Sequence, residues 1–153
     1  MRRAPFLCWF LLASAAFAQT NVLTVAPPDK VVAKIGSTAE VKLTAQMREG
    51  YHCNSNTPSD DYLIPLKLTW NPGPLQPTEV VYPKPRMEKY SFSPTPLSVF
   101  TGDFQIVTHF KVAATANPGL MVLPAKLRYQ ACNDRMCLAP KTVDITLPVE
   151  IVK

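Results

Sequence analysis

Residues 38–47 read Thr-Ala-Glu-Val-Lys-Leu-Thr-Ala-Gln-Met, and apolar and polar side chains alternate along most of this stretch. Val41, Leu43, Ala45 and Met47 share one face of an extended chain, while the intervening Lys, Thr and Gln side chains occupy the other. A period of two with one apolar face is typical of a half-buried antiparallel β-strand. The stretch therefore predicts a β-sheet that covers one side of a hydrophobic core.

The same alternation recurs along the chain. It is strong in residues 66–70, 104–113, 121–131 and 143–151, and weaker in residues 22–25, 31–35 and 80–82. About eight strands in two packed sheets predict an all-β, immunoglobulin-like antiparallel sandwich. Residues 83–100 have no strand pattern, so they are predicted to form a long loop rich in proline and aromatic residues.

Composition supports this fold class and excludes others. The chain has 153 residues, of which 47% are hydrophobic and 18% charged, and this balance suits one packed domain rather than a disordered chain. It contains 16 prolines and only 5 glycines. Because proline in a helix interior costs about 3 kcal/mol, this density excludes a protein of long helices. Sequence motifs of serine hydrolases, nucleotide-binding proteins and zinc proteases are absent.

The first 18 residues have the form of a cleaved secretory signal peptide. Arg2 and Arg3 precede an apolar run at residues 6–12, and Ala-Phe-Ala at residues 16–18 supplies a cleavage motif. The predicted mature domain is residues 19–153, and no later apolar run is long enough for a membrane span. Loss of Arg2 and Arg3 lowers the formal charge from +5 to +3. The remaining Lys and Arg side chains are scattered, which argues against nucleic acid as a partner.

Three cysteines remain after the leader, namely Cys53, Cys132 and Cys137. An odd number in an oxidising compartment leaves at least one thiol free or paired with another molecule. Residues 129–140 read Tyr-Gln-Ala-Cys-Asn-Asp-Arg-Met-Cys-Leu-Ala-Pro and join two predicted strands, so Cys132 and Cys137 lie at a hairpin tip. Since cross-strand Cα atoms are about 4.5–5.5 Å apart, a disulfide between the two is geometrically feasible.

A bridge between Cys132 and Cys137 closes a loop of six residues. In the chain-entropy model such a loop stabilises a fold by roughly 2 kcal/mol, against almost 5 kcal/mol for a loop of about a hundred residues. A short bridge at an exposed tip is therefore easily reduced, which favours a redox role. From the spacing alone, a structural disulfide that pins the hairpin is the alternative.

Three stretches of the chain carry a family resemblance. They are Glu-Gly-Tyr-His at residues 49–52 with Asn-Thr-Pro-Ser-Asp at 56–60 and Leu-Ile-Pro at 63–65, Tyr-Pro-Lys-Pro at 82–85, and Tyr-Gln-Ala-Cys at 129–132 with Cys137 and Pro140. In this order, and over nearly the whole mature chain, they resemble the N-terminal periplasmic domain of the bacterial thiol:disulfide interchange protein DsbD. The cysteine pair with its preceding Tyr-Gln is the most specific of the three.

The resemblance implies a periplasmic, immunoglobulin-like domain that needs no cofactor and whose hairpin cysteines cycle between dithiol and disulfide. Such domains accept electrons from a thioredoxin-like donor and pass them to oxidised periplasmic thiol proteins. Cys132 and Cys137 match the redox pair, and Cys137 matches the cysteine that forms the mixed disulfide. Because the family protein continues into a membrane domain and a thioredoxin-like domain, this chain is expected to meet its donor as a separate molecule.

The resemblance also implies residues around the pair. An aromatic cap loop shields the cysteines in this family, and residues 88–92 (Glu-Lys-Tyr-Ser-Phe) occupy the equivalent segment. Either Tyr90 or Phe92 is then the capping residue. Tyr51, Tyr129 and Gln130 lie in the matching stretches and are expected to support the site.

Two further functions fit the same residues. One is an immunoglobulin-like binding module in which the Cys132–Cys137 disulfide is structural and the aromatic loop is a recognition surface. The other is a copper carrier, which requires His52 or Met136 to converge on the thiols, although the spacing of His and Cys shows no metal-binding motif. Cys53 is expected to be a buried apolar residue, with a third reactive thiol as the alternative.

Overall fold

Strands provide the regular structure of residues 21–153, the part of the chain that the computed structural model describes. In chain order they are β1 (Leu23–Val25), β2 (Val31–Lys34), β3 (Thr38–Met47), β4 (His52–Asn54), β5 (Lys67–Trp70), β6 (Leu75–Val81), β7 (Arg86–Glu88), β8 (Leu97–Thr101), β9 (Asp103–Val112), β10 (Gly119–Tyr129), β11 (Ala131–Cys132) and β12 (Lys141–Val152). No helix in this range is long and apolar enough to cross a membrane. The predicted signal peptide lies outside the described residues.

The strands form three four-stranded sheets. Two of them contain the long strands and are called the large sheets, and the third consists of short strands and is called the small sheet. The strand order is β1-β3-β9-β6 in the first sheet, β2-β12-β10-β5 in the second and β11-β4-β8-β7 in the third. All pairs are antiparallel except β2 with β12, which run parallel. The predicted immunoglobulin-like sandwich is confirmed, and the small third sheet adds a layer at the end where β10 continues into β11.

Alternation places the apolar face of each long strand in one core between the large sheets. The residues of β3 predicted to face inward are buried, and the same holds for Leu123, Ala125 and Leu127 of β10. The rings of Trp70 and Phe110 meet edge to face across the two sheets, with centroids 5.0 Å apart. Sheet packing of this kind explains why the sequence pattern of the long strands was sufficient to predict them.

The strand count and the predicted loop require correction. The described residues contain twelve strands rather than about eight, and residues 83–100 include β7 and the start of β8 instead of an unstructured loop. For β4 and β8 the cause is burial on both faces, since every residue of β4 and four consecutive residues of β8 are buried, whereas β7 is a mostly exposed strand of only three residues. A strand covered on both sides shows no alternation, and a pattern of period two therefore misses it.

A hydrogen bond inside the core ties the two large sheets together. Trp70 Nε1 on β5 donates to Thr108 Oγ1 on β9 at 3.1 Å, and the Thr108 side chain is fully buried. We expect Thr108→Val to lower the free energy of unfolding by about 1–3 kcal/mol, because the shape is kept while the indole N–H loses its partner. Urea unfolding measures the change.

The control for this substitution is Thr69→Val, which makes the same chemical change at an exposed position of β5. It is expected to change the free energy of unfolding by less than about 0.5 kcal/mol. Equal effects of the two variants would contradict the role assigned to the inter-sheet hydrogen bond.

Candidate functional site

The hairpin of β10 and β12 carries the cysteine pair at its tip. The two strands pair in register from Gly119 opposite Ile151 to Tyr129 opposite Lys141. At the tip, Asn133 Oδ1 accepts hydrogen bonds from the backbone N–H groups of Arg135 and Met136, each at 2.9 Å. Asparagine favours such local turns because its side chain replaces a backbone acceptor. The turn therefore brings the ends of the Cys132–Cys137 segment together.

Cys132 and Cys137 are joined by a disulfide, with their Cα atoms 3.9 Å apart. The two residues differ in exposure, since Cys132 is buried with 1% of its surface exposed whereas Cys137 is only partly buried. Cys137 is therefore the member of the pair that is more open to solvent.

Strand β4 passes beside the pair and separates two neighbouring side chains. His52 lies directly opposite Cys132, and Cys53 lies opposite Ala131. Directly opposed residues project to the same face of a sheet, so His52 shares a face with Cys132 while Cys53 faces the other way. Burial raises the pKa of the Cys53 thiol to about 12. Cys53 thus has the environment of the buried apolar residue that was expected.

Aromatic rings from residues 88–92 lie against His52. The Tyr90 ring stacks on the His52 imidazole with centroids 3.9 Å apart, and Phe92 stacks on Tyr90 at 5.6 Å. Phe92 is 6.4 Å from His52 and is 40% exposed, and the three centroid distances place it beside the Tyr90 ring rather than on its outer face. Tyr90 is therefore the inner ring of residues 88–92, hereafter the cap segment.

Hydrogen bonds hold the cap segment in place. Tyr90 Oη donates to Glu88 Oε2 at 2.6 Å, and Ser91 Oγ donates to the carbonyl oxygen of Asp134 at 2.9 Å. Burial, together with the hydrogen bond to Glu88, raises the pKa of the Tyr90 phenol above its ordinary value. The bond from Ser91 joins the cap segment directly to the hairpin tip.

The residues predicted to support the site have different surroundings. Gln130 Nε2 donates to the carbonyl oxygen of Leu138 at 3.1 Å and braces the base of the tip. Tyr51 is half-buried and lines a cleft of about 630 Å³ together with His52 and Tyr90, and the Arg48 guanidinium lies 5.9 Å from its ring centre. Tyr129 is buried in the core beneath the site. Its contribution is thus to packing rather than to the exposed surface.

The residues considered for copper have different surroundings. His52 is covered by Tyr90, and Met136 is 57% exposed at the hairpin tip. Within residues 21–153 no group of three or more His, Cys, Asp or Glu side chains is arranged to hold a metal ion. His109 is on β9, in a different sheet from His52, and its Nδ1 is 3.7 Å from Glu40 Oε2.

Comparison with known proteins identifies the family. The model of the family "Thiol:disulfide interchange protein DsbD, N-terminal" matches residues 21–148. The chain belongs to this family. Family membership and the Cys132–Cys137 disulfide together support a thiol–disulfide exchange module. No curated protein matches the chain.

Two solved structures share the fold at low sequence identity. The Neisseria meningitidis DsbD N-terminal domain in its reduced form is 14% identical, with a TM-score of 0.51, and the alignment covers 76% of this chain and 82% of that one. The N-terminal periplasmic domain of ScsB from Proteus mirabilis is 11% identical, with a TM-score of 0.54. That alignment covers 82% of this chain but only 44% of the ScsB chain.

Two contacts of this DsbD-family site were not specified by the sequence predictions, which brought His52 to the thiols only in the copper-carrier alternative. The first is the position of His52 opposite Cys132, which a search for basic residues near the cysteines in sequence does not find. The second is the hydrogen bond between Ser91 and the hairpin tip. The family motif at residues 49–52 includes His52, but it does not show that His52 pairs with Cys132, which lies 80 residues later in the chain.

Proposed function

We propose that the chain is a periplasmic relay that carries two electrons from a thioredoxin-like donor to oxidised periplasmic thiol proteins. The observation that carries the proposal is the asymmetric pair at the hairpin tip, with Cys132 buried and Cys137 partly exposed. A structural disulfide has no need for such asymmetry, nor for a cap segment bonded to its tip. The chain's apolar leader and its family both support an exported location.

Each half of the cycle exchanges one disulfide for another. A thiolate of the donor attacks Cys137 Sγ, the Cys132–Cys137 bond breaks, and its electron pair leaves on Cys132 Sγ. The donor's second thiolate then attacks the donor sulfur that is bonded to Cys137, and Cys137 leaves as a thiolate. The donor is oxidised by two electrons and the pair becomes a dithiol. With an oxidised protein, Cys137 attacks the substrate disulfide and Cys132 resolves the intermediate.

A redox titration of the full chain after leader removal tests this function. The protein is equilibrated in defined thiol–disulfide buffers, quenched with an alkylating agent and read by intact mass. We expect a two-thiol transition on Cys132 and Cys137 at about −200 to −270 mV, the range of exchange proteins. Cys53 is expected to stay unmodified in the folded protein because it is fully buried.

The same titration distinguishes the relay from a binding module with a structural disulfide. A bridge that stays closed well below about −300 mV has the potential of a structural disulfide. That result would contradict the relay and favour the binding module, in which the cap segment serves as a recognition surface.

The cap segment is predicted to slow access to the pair through Tyr90. An aromatic pair contributes about 0.5–1.5 kcal/mol, so Tyr90→Ala is expected to raise the rate of disulfide reduction by dithiothreitol by about 2- to 10-fold. Phe92→Ala is the matched control, because Phe92 lies beside Tyr90, is farther from His52 and is 40% exposed. Stopped-flow reduction measures both rates, and a larger effect at Phe92 than at Tyr90 would reverse the assignment.

A further inference from the structure

His52 is the unexplained group beside the redox pair. Its side chain is 2% exposed, and its Nε2 has no hydrogen-bond partner among residues 21–153. A buried polar atom left without a partner costs about 1–3 kcal/mol, which calls for a function. The ring lies opposite Cys132 on the same face of the small sheet, where the Cβ atoms of opposed residues are about 4.5–5.5 Å apart.

Burial hinders proton transfer between the Cys132 sulfur and water. In the resolving step its thiol must lose a proton before its sulfur attacks Cys137, and in the opposite direction its departing thiolate must gain one. With 1% of its surface exposed, Cys132 lacks ready access to water for this transfer. A buried base next to it removes the difficulty.

We propose that His52 is the proton acceptor and donor for Cys132 during thiol–disulfide exchange, an inference that rests on the proposed relay function. In the resolving step, the Cys132 thiol transfers its proton to the imidazole and the sulfur attacks Cys137 Sγ. The bond between Cys137 and the substrate sulfur breaks, and the electron pair leaves on the substrate. Cys132 and Cys137 are oxidised by two electrons, and the substrate disulfide is reduced. The proton on His52 then passes to the released thiolate or to water.

The surroundings of His52 suit a neutral base. Burial lowers the pKa of its imidazole below the ordinary value, and the nearby Glu88 carboxylate opposes this effect. The neutral form, which accepts a proton, is therefore dominant at neutral pH. The charged and titratable groups around it are Cys132 and Asp134 from the tip, Glu88 and Tyr90 from the cap segment, Arg48, Glu49 and Tyr51 from the turn before β4, and Asp103 from the start of β9.

The test separates the two steps of exchange with oxidised glutathione as the probe. Reduced full chain after leader removal is mixed with oxidised glutathione, quenched with acid and read by intact mass, which distinguishes the glutathione adduct from the closed disulfide. His52→Phe keeps an aromatic ring beneath Tyr90 but removes the base. We expect adduct formation at Cys137 to be unchanged and its resolution near pH 7 to slow by about 10- to 100-fold, so that the adduct accumulates.

The pH profile provides a readout that a structural role does not alter. In the unsubstituted protein the resolving rate falls as pH drops below the His52 pKa, because protonated imidazole accepts no proton. In His52→Phe the rate follows the thiolate fraction of Cys132 and rises about tenfold per pH unit. The two rates are thus expected to converge as pH approaches the ordinary thiol pKa of about 8.5.

Control variants make each outcome decisive. His109→Phe removes the other histidine, which is partly exposed and paired with Glu40, and it should leave both steps unchanged. His52→Gln carries the same test if His52→Phe fails to show cooperative unfolding. Equal resolution at all pH values, or a slowing that is the same at every pH, would overturn the proton-transfer role. Failure of the unsubstituted protein to form or resolve the adduct would instead contradict the relay function itself.

Discussion

Cys137→Ser is expected to abolish thiol–disulfide exchange. Cys137 is the more exposed member of the pair and the one that a partner's sulfur can reach, whereas Cys132 is buried beside His52. The variant retains Cys132 and Cys53, but both are buried, so no thiol remains at the surface of the tip. Incubation with oxidised glutathione should give no adduct on a timescale in which the unsubstituted protein is fully oxidised.

Cys53→Ser is the matched control for this loss. Cys53 lies on the opposite face of β4, opposite Ala131, and its high pKa keeps it as a thiol. We expect this variant to exchange at the unsubstituted rate, although the polar hydroxyl in the core lowers its stability. If Cys137→Ser exchanged normally while Cys53→Ser did not, Cys53 rather than Cys137 would be the cysteine that exchanges with the partner.

The fold was predictable where burial is one-sided. Strands β3, β9, β10 and β12 each have one face in the core and one in solvent, so their alternation identifies them directly. Strands β4 and β8 belong to the small third sheet and are covered on both faces. Their sequences give no period of two, and this sheet became visible only in the structure.

The site was predictable only in part, for a related reason. The cysteine spacing predicts a bridge because the two residues are near each other in sequence. The stack of Tyr90 on His52 and the pairing of His52 with Cys132 join three separate segments of the chain. These contacts depend on the register of β4 with β11, which a pattern within either strand does not specify.

Cys132→Ser is expected to stop the cycle at the mixed disulfide. Cys137 remains accessible and still attacks oxidised glutathione, but the neighbouring side chain that resolves the adduct is now a hydroxyl. Intramolecular attack by a well-placed group reaches effective molarities of about 10⁵ M, so its loss should lengthen the lifetime of the adduct by on the order of 10³-fold or more. Intact mass should show one glutathione per chain, located on Cys137 by peptide mapping.

The Cys132→Ser adduct also gives the largest slowing of resolution that the His52 variants can show. Cys132→Ser removes the attacking sulfur, whereas His52→Phe removes only the base that deprotonates it, so both stall the same step to different degrees. Raising the pH should restore resolution in His52→Phe and leave Cys132→Ser blocked, because a serine hydroxyl does not become a competent nucleophile at a thiol's pKa. A serine variant that resolved its adduct without added thiol would show that another sulfur, and thus Cys53, takes part. The burial of Cys53 and its position on the far face of β4 predict that it does not.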